Sequence, residues 1–217
     1  MRVVAGTARG RRLVTPPGRD VRPTLDRVRE SVFNALGSLD ALRGATVLDL
    51  FAGSGALGVE ALSRGAGHVT FVDSSPASID AVRANLDATG FAASATVLRR
   101  DALDVLRGGD GARALGGPVD LVLADPPYSF DRWGDLMVAL RPALSPDAVV
   151  VVESDRSIED EVRERLAELG GGILRERRYG GTVVAMLSFQ GQPPSRSARG
   201  PADPGPARGP ADPGSAR

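Results

Sequence analysis

Cysteine and lysine are both absent from this 217-residue chain, and histidine occurs once, at His68. Without cysteine there can be no disulfide, cysteine-held zinc, iron–sulfur cluster or thiol nucleophile. A single histidine makes His-pair metal sites and Ser-His-Asp triads poor expectations, so no metal is expected. Aromatic residues make up only 4% of the chain. No apolar run approaches the ~20 residues of a membrane span. The opening residues Met1 to Gly6 lack the apolar core of a secretory signal, so a cytoplasmic protein is expected. Hydrophobic residues at 42% against 25% charged suffice for a core. The length suits one α/β domain with a small extension, and a monomer is expected.

All 27 basic residues are therefore arginine, and 27 acids balance them. The balance is uneven along the chain. Residues 1–43 hold nine Arg against four acids, a net +5, and residues 44–190 hold 14 Arg against 21 acids, a net −7. From 191 onward there are four Arg and two acids, a net +2. Arg-rich coding accounts for most of the Lys-to-Arg bias but not for this segregation. A basic arm on an acidic body suggests a polyanionic partner, because guanidinium forks grip phosphates and stack on bases.

Three segments follow: a basic arm over 1–43, an α/β body over 44–190 and a tail over 191–217. The tail repeats the nonapeptide of 198–206 at 207–215 with one change and holds seven of the 16 prolines, so it is expected to be disordered. In the arm, Arg2–Ala5 and Arg11–Val14 read as short strands of a hairpin around Gly6 to Gly10. A helix is expected from near Thr24–Asp26 to about Leu36. Its face of Leu25, Val28, Val32, Ala35 and Leu36 is apolar, and its stripe of Arg27, Glu30, Ser31 and Asn34 reads as a solvated face. Strands are expected at Thr46–Leu50, Val69–Val72, Thr96–Leu98, Val119–Ala124, Val149–Val152, Ile173–Arg178 and Thr182–Phe189, the first five apolar enough for burial on both faces. Helices between them (after Ser75-Pro76, over Ala102–Leu106, and from Ile158 to Leu169) predict a doubly wound, mostly parallel seven-stranded α/β sheet. Gly180-Gly181 joins the last two strands as a tight hairpin, so one of them runs antiparallel.

The chemistry gathers at the strand ends. Gly53, Gly55 and Gly58 after the first strand fit GxGxxG, with Phe51 and Ser54 in the same loop. Asp73 ends the second strand, 20 residues after Gly53, where a carboxylate can accept both hydroxyls of an adenosine ribose or merely cap a helix. Asp49, four residues before Gly53, suits a cationic ligand and would sit awkwardly beside a pyrophosphate. Asp101 after the third strand can meet an adenine amine or cap the next helix. These features favour S-adenosylmethionine, a cationic nucleoside cofactor. Asp125-Pro126-Pro127-Tyr128 follows the fourth strand directly. The Asp125 carboxylate and the Pro126 carbonyl can accept the two hydrogens of an exocyclic base amine, favour its pyramidal form and aim its lone pair at a methyl group. Pro127 stiffens the segment, and Tyr128 offers a face for the base.

The glycine loop with Asp-Pro-Pro-Tyr resembles the class I S-adenosylmethionine-dependent amino-methyltransferases. The block Arg22 to Asn34, the run Asp49 to Gly55 and the Arg9-Gly10-Arg11-Arg12-Leu13 hairpin more narrowly resemble the bacterial 16S rRNA guanine-N2 methyltransferases of the RsmD type, over about residues 2–189. The resemblance implies a Rossmann-like methyltransferase sheet with a reversed last strand. It also implies transfer of a methyl group to a guanine N2 in 16S rRNA, within a small-subunit particle. Arg9, Arg11, Arg12, Arg22, Arg27 and Arg29 would then contact RNA phosphates. Arg27 and Arg29 could instead pair with Asp26, Glu30 or Asn34 on their own helix. Competing readings are a DNA adenine-N6 methyltransferase, an NAD-dependent oxidoreductase and a non-catalytic RNA-binding protein. Against the first two stands the lack of a target-recognition or substrate domain; against the last stands the intact Asp-Pro-Pro-Tyr.

Overall fold

The computed structural model describes residues 1–16, 23–107 and 115–189, the side chains of 23–25 apart. The tail and Arg22 lie outside the described residues. The elements are α1 (Pro23–Ser38), β1 (Thr46–Leu50), α2 (Ala56–Ser63), β2 (His68–Asp73), α3 (Pro76–Thr89), β3 (Ala95–Arg99), α4 (Ala102–Arg107), β4 (Val119–Ala124), α5 (Trp133–Leu140), β5 (Leu144–Ser154), α6 (Glu159–Glu168), β6 (Gly172–Tyr179) and β7 (Thr182–Ser188). Local chemistry sets the boundaries. Ser75 caps α3 by accepting the Ser78 N–H, Pro76 opens its first turn, and Gly90 closes it at φ 79°.

The seven strands lie in the order β3-β2-β1-β4-β5-β7-β6. Neighbours are parallel except around β7, which runs antiparallel to both β5 and β6. The expected reversed strand and its two-glycine hairpin are both present, with Tyr179 paired to Thr182. The chain winds outward from β1 to β3 and then returns to β4 beside β1. That reversal opens a crevice at the carboxyl ends of β1 and β4, where sheets of this kind bind ligands.

Strand alternation divides the core into two layers. Leu48, Leu50, Val122, Ala124, Val150 and Val152 pack under α4, α5 and α6. Val47, Val69, Phe71, Leu121, Leu123 and Val151 pack under α1, α2 and α3, together with Val3, Ala8 and Leu13 of the arm. The described part of residues 1–43 thus shares one core with the sheet.

Two expectations need correction. Strand β3 is only half-buried, since it is the outermost strand and lacks a neighbour on one side. The arm has a single antiparallel bridge, Arg2 to Arg12, rather than two strands. Its chain still folds back, with Val3 N–H donating to the Arg11 carbonyl and Leu13 N–H to that of Met1. The ladder stops because distant side chains take the next donors. The Glu60 carboxylate accepts the Val4 and Ala5 N–H groups at 2.7 and 3.0 Å, and Asn85 Oδ1 accepts that of Val14 at 2.8 Å.

Candidate active site

The glycine loop turns on backbone geometry that most side chains disfavour. Phe51 is held at φ 58°, and Gly53 and Gly55 follow at φ 56° and 73°. Gly58 answers a different need: a Cβ there would lie 2.3 Å from the Phe71 ring and 2.9 Å from Asp49 Oδ2. That closeness lets the Gly58 N–H donate to Asp49 Oδ2 at 2.9 Å. Asp73 Oδ2 accepts the Gly53 N–H at 2.8 Å, and its Oδ1 accepts that of Ser75. Carboxylates therefore occupy two loop donors that would otherwise face a phosphate at the start of α2.

The strand register lines up acids across this edge. Asp49 lies beside Leu123 of β4. Ala124 pairs with Val152, so Asp125, one residue past β4, continues the register beside Glu153 of β5. By alternation both face the α1–α3 side of the sheet, as Asp49 does. Burial pushes the Asp49 carboxyl well above the usual range, and the charges of Asp125, Asp73 and Glu153 add to this against the Gly58 hydrogen bond. Glu153, 7% exposed, is pushed up to about 8 by burial and by Asp125, with the Arg29 guanidinium opposing. Among the described residues, no group of three or more acids or histidines could hold a metal ion.

Pro126 is buried and Pro127 exposed, and Tyr128 projects with 59% of its surface open. The turn closes with the Phe130 N–H donating to the Pro127 carbonyl at 2.8 Å. The Phe130 ring packs edge-on to Phe51 at 5.3 Å and to Trp133 at 4.9 Å. Asp-Pro-Pro-Tyr is thereby braced against both the glycine loop and α5. Sequence reasoning missed Phe130 and Trp133, and also Glu153. The signal for Glu153 was available: it is an acid at a strand's carboxyl end, like Asp73 and Asp125.

The other sequence-predicted residues make contacts of their own. The Ser54 hydroxyl faces the Met1 sulfur at 3.8 Å and its carbonyl accepts from Asn85, so its side chain supports the loop from behind. Asp101 Oδ1 caps α4 through the Leu103 and Asp104 N–H groups. Arg29, expected on RNA, is 4% exposed. It donates to the Arg2 carbonyl and to Asp26 and lies 3.7 Å from Glu60, so it anchors the amino terminus rather than meeting a partner. Arg9, Arg11 and Arg12 are exposed, but the Thr7 N–H donates to the Ser63 carbonyl at the end of α2 remote from the glycine loop. Arg27 is exposed as well, on the polar stripe of α1. That stripe is more than a solvated face, for it lines a depression of about 430 Å³ with Arg175 of β6, and Ser31 hydrogen-bonds Tyr179 at 2.7 Å.

A mostly parallel sheet with one reversed strand, a glycine loop held by acids and a proline turn at the switch point define a methyltransferase fold. Residues 1–188 match the family model described as "Conserved hypothetical protein 95", and the chain belongs to that family. It is 37% identical over 157 residues to "Ribosomal RNA small subunit methyltransferase D" of Escherichia coli (strain K12), covering 71% of this chain and 75% of that protein. YlbH of Bacillus subtilis (strain 168), named provisionally as an rRNA methyltransferase, is 39% identical over 196 residues, which is 88% of this chain and all of YlbH. Among solved structures, the Escherichia coli protein yhhF, described provisionally as a methyltransferase, superposes with a TM-score of 0.71 at 32% identity, covering 88% of this chain and 99% of yhhF. The resemblance read from the arginine block, glycine loop and proline turn is borne out.

Proposed function

We propose that the protein transfers a methyl group from S-adenosylmethionine to the N2 amine of a guanine in 16S rRNA of the small ribosomal subunit. The observation that carries the choice of cofactor is the occupation of the Gly53 and Gly58 N–H groups by Asp73 and Asp49. A pyrophosphate would need those donors and would face a row of carboxylates. A sulfonium with an α-ammonium is welcome there, because a nearby cation favours the ionised form of Asp49 and Glu153, which burial disfavours. S-adenosylmethionine, when bound, supplies an electrophilic methyl group. Asp49 would hold its cationic groups and Asp73 its ribose, with Phe51, Gly53 and Gly55 lining it and Asp101 within the reach of its adenine.

Asp125 and the Pro126 carbonyl would accept the two amine hydrogens and orient the nitrogen lone pair toward the methyl donor. Tyr128, already exposed, stacks on the extruded base. Catalysis is positioning plus exclusion of water, with no metal involved. The RNA substrate is supported by the names of the relatives, and its location would place the enzyme in the cytoplasm. Arg9, Arg11, Arg12, Arg22 and Arg27 supply phosphate contacts. Calorimetry with S-adenosylmethionine and with a nicotinamide dinucleotide should show binding of the first alone. Mapping of methylated guanines in rRNA from a deletion strain should show one N2-methylguanine missing from 16S rRNA. Binding of the dinucleotide alone, or an unchanged rRNA map, would overturn the reading.

A further inference from the structure

Methyl transfer to an amine leaves a proton in the site at every turnover. The N–CH3 bond forms as the C–S bond breaks, the positive charge passes from sulfur to nitrogen, and the nitrogen then sheds one N–H proton with the bonding pair retained. We propose that Glu153 takes up that proton, directly or across the adjacent Asp125 carboxylate. The inference rests on the functional reading above and assigns a role to a residue that reading leaves unused.

Glu153 is buried at the carboxyl end of β5, side by side with Asp125 on the same face of the sheet. No hydrogen bond or ion pair joins its carboxyl to any described residue, whereas the two other buried acids on this side of the sheet are partnered, Asp49 by the Gly58 N–H and Glu60 by two arm N–H groups and Arg64. The groups that face it are Asp125 from β4, Asp49 from β1 and Arg29 from α1. On β7 it lies against the uncharged Val184, with Arg177 of β6 one strand further in the same row. An acid in this company responds to the charge of its ligand. With a sulfonium close by, its carboxylate form is favoured. Once that charge has gone, burial and Asp125 restore an affinity that holds a proton at neutral pH, since the group sits near 8 without a cation. The residue is therefore a base when the proton is released and an acid afterwards, and water recovers the proton as the site opens.

The test is calorimetry on the full chain at pH 7 in two buffers of different ionisation enthalpy, comparing S-adenosylmethionine with its uncharged demethylated product, S-adenosylhomocysteine. The first should release up to one proton more than the second, and Glu153→Gln should remove most of that difference while Glu153→Asp keeps it. Single-turnover methylation of undermethylated small subunits should slow by roughly 10²-fold in Glu153→Gln, the lower range for loss of a general base, and lose its fall at acid pH. Equal proton release for both ligands in the unaltered protein would overturn the proposal, as would full release or an unchanged rate–pH profile in Glu153→Gln. Should Glu153→Gln fail to fold, the unaltered protein and Glu153→Asp still decide it. Failure of S-adenosylmethionine to bind at all would instead sink the functional reading.

Discussion

Asp125 and Glu153 stand side by side, yet they are expected to fail differently when altered. The hydrogen bonds proposed for Asp125 strengthen as the amine becomes pyramidal, so their effect belongs to the transition state. Asp125→Ala should cut kcat by about 10²–10³ while cofactor affinity barely changes, as single-turnover kinetics and calorimetry would show. A near-normal rate would reduce Asp-Pro-Pro-Tyr to a turn. Glu153 also marks the ligand-free protein. Its folded value of about 8 stands above the ordinary value of 4.5, so between them the folded state binds more protons than the unfolded. Its stabilising contribution is complete below about pH 4.5 and is lost as pH rises through 8. The thermal midpoint of the ligand-free protein should fall over this window, and Glu153→Gln should flatten the slope. A midpoint that rises from pH 5 to 8 equally in both would contradict the assignment. Asp73, Asp125 and the glycines were legible because each is a short-range signal at a strand end. For Arg29 the alternative of pairing with Asp26 on its own helix holds, while its burial comes from Met1 and Arg2 folding over it, which no helical spacing reveals.

Among the elements, α2 couples the site to the arm. One end of its eight residues is the glycine loop, and its middle carries Glu60, fully buried. Glu60 accepts two arm N–H groups, pairs with Arg64 at 2.7 Å and lies 3.7 Å from Arg29. Removing one member of a buried charged set leaves the others unpaired, which costs about 3–5 kcal/mol. Glu60→Ala should lose that much in urea unfolding, and a loss under about 1 kcal/mol would show the arm to be held by its apolar packing alone. The alternation of strands and helices was readable, with β1 and β4 predicted to the residue, because fully buried strands are short apolar runs bounded by turn chemistry. The arm's fold-back was readable, but its docking on α2 and α3 was not. Its hydrogen-bond acceptors sit 55 or more residues away on α2 and α3, and local propensity carries no record of them.

At the scale of the whole molecule, charge and chemistry occupy different places. The acids gather at the carboxyl edge of the sheet. The turn bearing Arg9 and Arg11 docks at the far end of α2, and an eight-residue helix separates the two by about 12 Å. On the proposed function, an RNA held by this arm would be gripped away from the base to be methylated. Binding and chemistry should separate accordingly. Replacing Arg9, Arg11 and Arg12 together by Gln should raise KM for the small subunit. The slope of log K against log salt should flatten by about 0.7–0.9 for each phosphate no longer neutralised. The rate within the saturated complex should stay close to that of the unaltered protein, because the turn bearing Arg9 and Arg11 docks at the opposite end of α2 from the carboxyl edge, and Arg12, although Leu13 next to it bonds Met1 near the glycine loop, is exposed to solvent. Single turnovers at saturating substrate, with a salt series on KM, measure the two effects separately. A slowed transfer step with an unchanged salt slope would show that the turn acts on the glycine loop through α2 rather than on RNA, since α2 is the element that joins them.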